Sequence, residues 1–307
     1  MSKKFDLQAY KKSIKKREVI YKPATFLPVD DCLRAVLGLP GIPIGHIVQI
    51  YGKSDTGKTS LLFHLAAEAQ KNNILPIIYI TEKKVDWDRA LQMGFDKENA
   101  LVEEHLSTLE EVFDDILKKL AEQAREELPK NIVFFWDSIG NTLSKEEFID
   151  DKDGNRDVKS TMMKAAKVIK GYLRHVGPKI NETRKIEVPH DASLIFLNQA
   201  YTQPPNAYGG ISRLVPYGGD GIWYAASLVI QTKRIGKLAA IVNKIEKKFG
   251  TRSKITIEKN HINGIEQSGD FVITPTSIIP DEKTAIDNYK AEHKAEWGTF
   301  KLEEKKE

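Results

Sequence analysis

The sequence predicts an α/β domain built on a largely parallel sheet. Three observations predict it. Short apolar runs rich in Ile, Val and Phe alternate with longer segments of helical period. The glycine-rich turn "YGKSDTGKTS" joins the first such run to the first such helix. At 307 residues the chain is long enough for one large α/β domain with small appendages.

The elements follow in order. Residues 3–18 are short of breakers and read as a basic helix. "YKPATFLPVDD" (21–31) holds Pro23 and Pro28 and reads as an extended linker or an exchanged strand. "HIVQIYG" (46–52) is a buried strand, and "KTSLLFHLAAEAQ" (58–70) a helix with Leu61, Leu62, Leu65 and Ala69 on one face. "LPIIYITE" (75–82) is a second strand. "STLEEVFDDILKKLAEQAREEL" (107–128) is an amphipathic helix opened by a capping box from Ser107 to Glu110. "NIVFFWDS" (131–138) is a third strand, followed by a polar, irregular stretch at 144–157 and a helix near 158–176. "ASLIFLNQ" (192–199) is a fourth strand, followed by a second irregular stretch at 200–221. Strands at 225–236, 253–260 and 269–275 end the sheet, expected to be antiparallel at this edge. The expected organisation is a basic helix and linker over 1–30, a core over 31–280 and a charged C-terminal helix and tail over 281–307.

Composition narrows the function classes. A single cysteine, Cys32, excludes an internal disulfide and suits a reducing compartment. No apolar run approaches the ~20 residues of a membrane span, and the N-terminus lacks the apolar segment of a secretory signal. A cytoplasmic protein with no membrane partner is expected. Net charge is +4, yet residues 1–20 alone carry +5. The basic excess is therefore local, either a solvated helix face or a patch for an acidic partner.

Gly52 to Thr59 fits the phosphate-loop pattern G-x-x-x-x-G-K-[ST], between a buried strand and a helix as the chemistry requires. The two glycines let backbone N–H groups turn toward phosphate oxygens. Lys58 is expected to reach the β- and γ-phosphates of ATP, and Thr59 to bind Mg²⁺. The surrounding Lys53, Ser54, Asp55, Thr56 and Ser60 complete the expected nucleotide cradle. Asp137, ending the third strand, is the second carboxylate such a metal wants. Glu82, ending the second, is placed to activate a water. Asn198 and Gln199 end the fourth strand, where an amide can sense the γ-phosphate. Taken singly, Asp137 also fits a helix cap, Glu82 a solvated charge and the amides ordinary turn chemistry.

The order of these pieces resembles the RecA recombinase core over residues 40–275. "GIPIGHIVQIYGKSDTGKTSLLFHLAAEAQ" is similar to that family's phosphate-loop region. "YITEKKVDWDRALQMGFDKENAL" resembles the segment of its catalytic glutamate, which falls on Glu82. "FFWDSIGNTLSKEE" resembles its metal-binding strand, at Asp137, and "LIFLNQ" its sensor strand, at Gln199. The first polar stretch and compact C-terminus look most like the phage UvsX-type recombinases, whose setting would be the host cytoplasm.

The resemblance implies a RecA-like ATPase core and a DNA-dependent ATPase that filaments helically on single-stranded DNA and pairs it with duplex DNA. Loading or single-strand-binding proteins are possible partners. It puts DNA-binding loops near 147–159 and 200–217, where Lys152, Arg156, Lys159 and Arg213 suit phosphates and Tyr201, Tyr208 and Tyr217 suit bases. Acidic Asp150, Asp151 and Asp153 oppose a simple electrostatic clamp in the first loop. The family's ATP lies between subunits, and its two trans cations fall on Lys259 and His261. Imidazole is the weaker partner there. Arg89 falls where bacterial members stack an aromatic on adenine, a contact that a guanidinium also makes. In the family an N-terminal segment packs on the next subunit, here residues 1–30 with Phe26 and Leu27 as anchors. The stretch 178–191 is longer than usual before the sensor strand. Two other readings stay open: an accessory RecA-like paralogue that binds ATP and DNA without strand exchange, and a hexameric RecA-fold helicase with Arg234 or Arg252 as arginine finger.

Overall fold

The computed structural model describes residues 25–152, 158–182, 191–204, 212–242 and 245–293. The centre is one ten-stranded sheet. Its parallel part is formed by β3 (Ile47–Gly52), β4 (Leu75–Ile80), β5 (Leu101–Glu103), β6 (Asn131–Asp137), β7 (Asp191–Gln203) and β9 (Leu228–Val242), in the order β9-β3-β7-β6-β4-β5. β10 (Ile245–Asn260), β11 (Ser268–Ile273) and β12 (Ile278–Ile279) continue it antiparallel beyond β9. This is the expected fold class, with the antiparallel strands at the expected edge. β3, β4 and β6 read as nearly unbroken apolar runs because both of their faces are covered.

Two cores clamp the sheet. On one face the helices Asp31–Leu37 (α1) and Lys58–Lys71 (α2) bury Leu33, Leu37, Leu61, Leu62 and Leu65 against Val48, Ile50, Ile78 and Phe135. The short helix Trp87–Gln92 (α3) joins them through Ala90. On the other face lie Leu109–Ala124 (α4) and Val158–Glu182 (α6), with Lys145–Lys152 (α5) between them in sequence. Phe113, Ile116, Leu120, Ile169, Leu173 and Val176 pack there on Phe134, Trp136, Leu194 and Phe196. The chain then adds β8 (Arg213–Pro216), the short helix Asp220–Ala225 (α7) and the last helix Glu282–Glu292 (α8).

Several expectations are corrected. The capping box of α4 is Thr108 with Glu111, one residue later than Ser107 with Glu110. Thr108 Oγ1 accepts from the Glu111 N–H, and the Glu111 carboxylate accepts from the backbone of Thr108. Both registers offer a hydroxyl and a carboxylate. Glu110 instead accepts from the Lys145 N–H, 2.8 Å away. The polar stretch 144–157 contains α5, whose first turn is capped by Ser144. The stretch 200–221 contains the end of β7, the strand β8 and the start of α7. The strands read at 225–236 and 253–260 are the bases of one long hairpin. Its outer part, with sequences such as "EKKFGTR", is too polar to announce itself as sheet.

The linker expectation changes most. Phe26–Pro28 (β1) pairs antiparallel with Gly41–Pro43 (β2) of the same chain. Leu27 is fully buried in the core, and a Cβ on Gly41 would meet its carbonyl at 1.9 Å. Leu27 thus packs into the core of its own chain. The basic helix read at 3–18 lies outside the described residues. No helix among the described residues is long and apolar enough to cross a membrane.

Candidate functional site

Strand register gathers the site. Gly52 lies beside Gln199 on one side and Thr232 on the other. Ile80 lies beside Asp137, so Glu82 emerges next to the end of β6. All the carboxyl ends of the parallel strands meet at one rim, where open α/β sheets hold ligands.

The turn from β3 to α2 is built to receive an anion. Asp55 and Gly57 both take positive φ, +58° and +87°. Gly57 is the N-cap of α2 and has no side-chain cap, so the helix's first N–H groups have no side-chain acceptor there. Glycine is required at both ends of the turn. A Cβ on Gly57 would meet Ile273 Cδ1 at 2.0 Å, and one on Gly52 would meet the Thr232 carbonyl at 2.3 Å. Thr56 Oγ1 pairs with Thr232 Oγ1 at 2.8 Å, and Ser253 Oγ donates to the Thr56 carbonyl at 3.0 Å, fixing the loop to β9 and β10. Lys58 Nζ donates to the loop carbonyls of Gly52 and Lys53 at 3.0 and 2.8 Å. Burial pulls its pKa down, against the opposing pull of Asp137, Glu82 and Asp55.

Opposite Lys58, Thr59 Oγ1 donates to Asp137 Oδ2 at 2.7 Å. Burial pushes the Asp137 carboxyl up to about 6, partly offset by the Thr59 hydroxyl and raised further by Glu82. This hydroxyl–carboxylate pair is hard-oxygen chemistry and fits Mg²⁺. No cluster of three His, Cys, Asp or Glu side chains exists among the described residues.

Glu82 is the hub. Its Oε1 accepts from Ser138 Oγ at 2.5 Å, Asn141 Nδ2 at 2.8 Å and, more weakly, Gln199 Nε2 at 3.4 Å. Asn198 is committed elsewhere, donating to the Tyr217 carbonyl at 2.7 Å, so Gln199 alone of the two amides faces the carboxylates. A cavity of about 590 Å³ joins Ser54–Ser60, Glu82, Arg89, Asp137 and Gln199. Arg89 Nη2 donates to Ser60 Oγ at 2.8 Å, on the flank of the loop.

The site contains residues that the sequence reading passed over. Ser138 and Asn141 hold Glu82. Lys237 and Thr251 line the cavity from the hairpin. Ser138 had a signal, following Asp137 directly. Lys237 and Thr251 had none, because only the register of β9 and β10 brings them to the rim.

The structure leaves other expected residues apart. Lys259 pairs with Val229, and β9 at Leu228 lies beside Val48, so Lys259 is at the opposite end of β3 from Gly52. It cannot serve its own phosphate loop. Its Nζ donates to the Trp223 carbonyl, and burial pulls its pKa down. His261 is exposed close by. Arg234 reaches Asp55 at 3.4 Å and Arg252 reaches Glu282 at 3.4 Å, both at exposed positions. Arg213 is exposed on β8, while Tyr201 and Tyr217 pack on each other with centroids 5.1 Å apart. Lys152 and Lys159 are placed only as backbone, closing α5 and near the start of α6. Arg156 and Tyr208 lie outside the described residues.

The family model for the RecA N-terminal domain matches residues 16–276. The chain belongs to the RecA family. Protein RecA of Helicobacter pylori strain P12 is 31% identical over 259 residues, which cover 83% of this chain and 67% of that protein. Protein RecA of Helicobacter acinonychis is 30% identical over the same length, and that of Rickettsia africae 27% over 257 residues. The family match spans the phosphate loop, Glu82, Asp137, Gln199 and both halves of the long hairpin. Its α/β fold is the RecA-like one.

Proposed function

We propose that the chain is an ATP-dependent DNA recombinase of the RecA family, closest in kind to the UvsX type. The observation that carries the reading is the placement of Gln199. Its side chain faces Glu82, and its backbone carbonyl accepts from the Tyr217 N–H at 3.0 Å. It therefore stands at the root of the β7–β8 arm, between the nucleotide rim and the segment 204–212.

In this reading the backbone of Ser54–Ser60 and the Lys58 ammonium hold the phosphates of ATP, and Arg89 flanks the base. Mg²⁺, held by Thr59 and supported by Asp137, supplies charge neutralisation at the phosphates. Glu82, kept in place by Ser138 and Asn141, accepts a proton from the attacking water. The products are ADP and phosphate. Gln199 reports the presence of the γ-phosphate to the arm, so the two nucleotide states differ in DNA affinity. Lys259, too far from its own loop, and His261 serve the loop of a neighbour, so ATP is enclosed only in a helical filament. Single-stranded DNA is held by the arm and by the 147–159 segment, and is then paired with a homologous duplex.

A second reading, an accessory paralogue without strand exchange, is favoured by two residues. His261 replaces a permanent cation at the trans position, and Asp150, Asp151 and Asp153 burden the first loop. Strand exchange by the purified protein with ATP separates the two readings. Images of the same sample test the helicase alternative, which requires closed rings in place of filaments.

A further inference from the structure

Four cations line the cavity at the strand rim, Lys58, Lys84, Arg89 and Lys237, against four carboxylates. Two of the cations are already committed. Lys58 Nζ donates to the loop carbonyls, and Arg89 Nη2 donates to Ser60 Oγ. Lys84 lies two residues from Glu82 and belongs with that turn. Lys237 arrives from elsewhere, from β9 where it enters the outer part of the long hairpin. It is exposed, and its ammonium makes no hydrogen bond or ion pair among the described residues.

The backbone explains why Lys237 faces the cavity. Thr232 turns its hydroxyl to Thr56, so its side of β9 is the phosphate-loop face. Side chains alternate along a strand, and five residues further on, position 237 falls on the opposite face. An extra residue intervenes. Arg234 pairs with Ser253 and Gly236 with Arg252, so Ile235 has no partner of its own. This bulge returns Lys237 to the loop face, and bulges beside active sites commonly re-aim a side chain in this way. The partner strand agrees. Lys237 pairs with Thr251, two residues from Ser253, whose Oγ donates to the Thr56 carbonyl. Thr251 pairs in turn with Ile273, whose Cδ1 covers Gly57. Lys237, Thr251 and Ile273 thus form a row across three strands, ending at the start of α2. A lysine on an exposed strand is ordinarily a solvated charge. Lys233, on the same strand but the other face, is one: it pairs with Lys254 and does not line the cavity.

We infer that Lys237 is a further nucleotide-binding residue, its ammonium pairing with the phosphate chain of bound ATP from the hairpin side. The inference rests on the ATP-binding reading above and deepens it. The charge is supplied by the same chain as the phosphate loop. It therefore acts before any neighbour brings Lys259 and His261, and unlike an imidazole it is a permanent cation. It also makes the base of the hairpin part of the nucleotide site.

The test is equilibrium dialysis against radiolabelled ATP with Mg²⁺, without DNA, at a protein concentration where sedimentation shows single chains, so that no neighbour contributes. K237A is expected to weaken ATP binding about tenfold, the size of one hydrogen bond to a charged group. K237R keeps the charge and is expected to recover most of that loss. K233A removes a lysine from the other face of the same strand and is expected to bind as wild type does. Thermal melting checks that each variant is folded. Should K237A unfold, K237Q, which keeps most of the stem and removes the charge, decides with the same expected loss. Wild-type affinity in the folded uncharged variant, or a loss in K237R as large as in K237A, overturns the inference and leaves the ATP-binding reading intact. Absence of ATP binding by the wild-type protein overturns both.

Discussion

The amide nitrogen of Gln199 lies 3.4 Å from Oε1 of Glu82, across 117 residues of sequence. The two side chains come from β7 and from the turn after β4, strands that do not touch but flank β6. The group proposed to take a proton and the group proposed to sense the γ-phosphate thus already share a contact.

Glu82→Gln keeps the size of the side chain and removes its basicity. Steady-state ATP turnover is expected to fall by about 10²–10⁴-fold, the usual contribution of a positioned base, with nucleotide binding retained. Turnover close to wild type would assign the base elsewhere.

Gln199→Ala breaks the link to the arm and leaves the phosphate loop untouched. Coupling between two sites is typically worth about 1–3 kcal/mol. The ratio of DNA affinities measured with a non-hydrolysable ATP analogue and with ADP should therefore collapse toward one. A ratio unchanged from wild type would show that the signal runs by another route.

Lys259 and Lys58 lie at opposite ends of the strands, so the proposed shared site needs them to meet one nucleotide across a subunit boundary. Lys58→Ala and Lys259→Ala should each lose DNA-stimulated ATPase. Mixed together, they should recover activity that neither has alone, because a Lys259→Ala loop can face a Lys58→Ala neighbour. No recovery in co-assembled mixtures would contradict a shared site.

Leu27→Ala tests the placement of β1. A fully buried leucine costs about 2–5 kcal/mol when truncated, which urea unfolding reads directly. A loss below about 0.5 kcal/mol would mean that the strand does not belong to its own core.

How much of this was legible in the sequence varies with the physics. The parallel strands were, because burial on both faces leaves unbroken runs such as "IVFFWD". The grouping of the candidate site residues was, because chemistry fixes Gly52, Gly57, Lys58 and Thr59 at set spacings, and because Glu82, Asp137 and Gln199 lie at or just beyond the same rim of neighbouring parallel strands. The outer hairpin was not: residues 237–242 and 245–252 are sheet through pairing with each other, with little apolar pattern to betray it. The self-pairing of Phe26–Pro28 was not, since two prolines write the same signal for a linker and for a short edge strand. Asn141 was not, because its place beside Glu82 depends on a turn whose shape only the fold sets.

Homologous strand exchange tests the central claim most directly. Purified protein is incubated with a circular single strand and a homologous linear duplex, in ATP and Mg²⁺ and without other proteins. The account predicts joint molecules with ATP, none with ADP and none with Lys58→Ala. ATP hydrolysis and single-strand binding without any joint molecules would contradict it, and would leave an accessory ATPase in place of a recombinase.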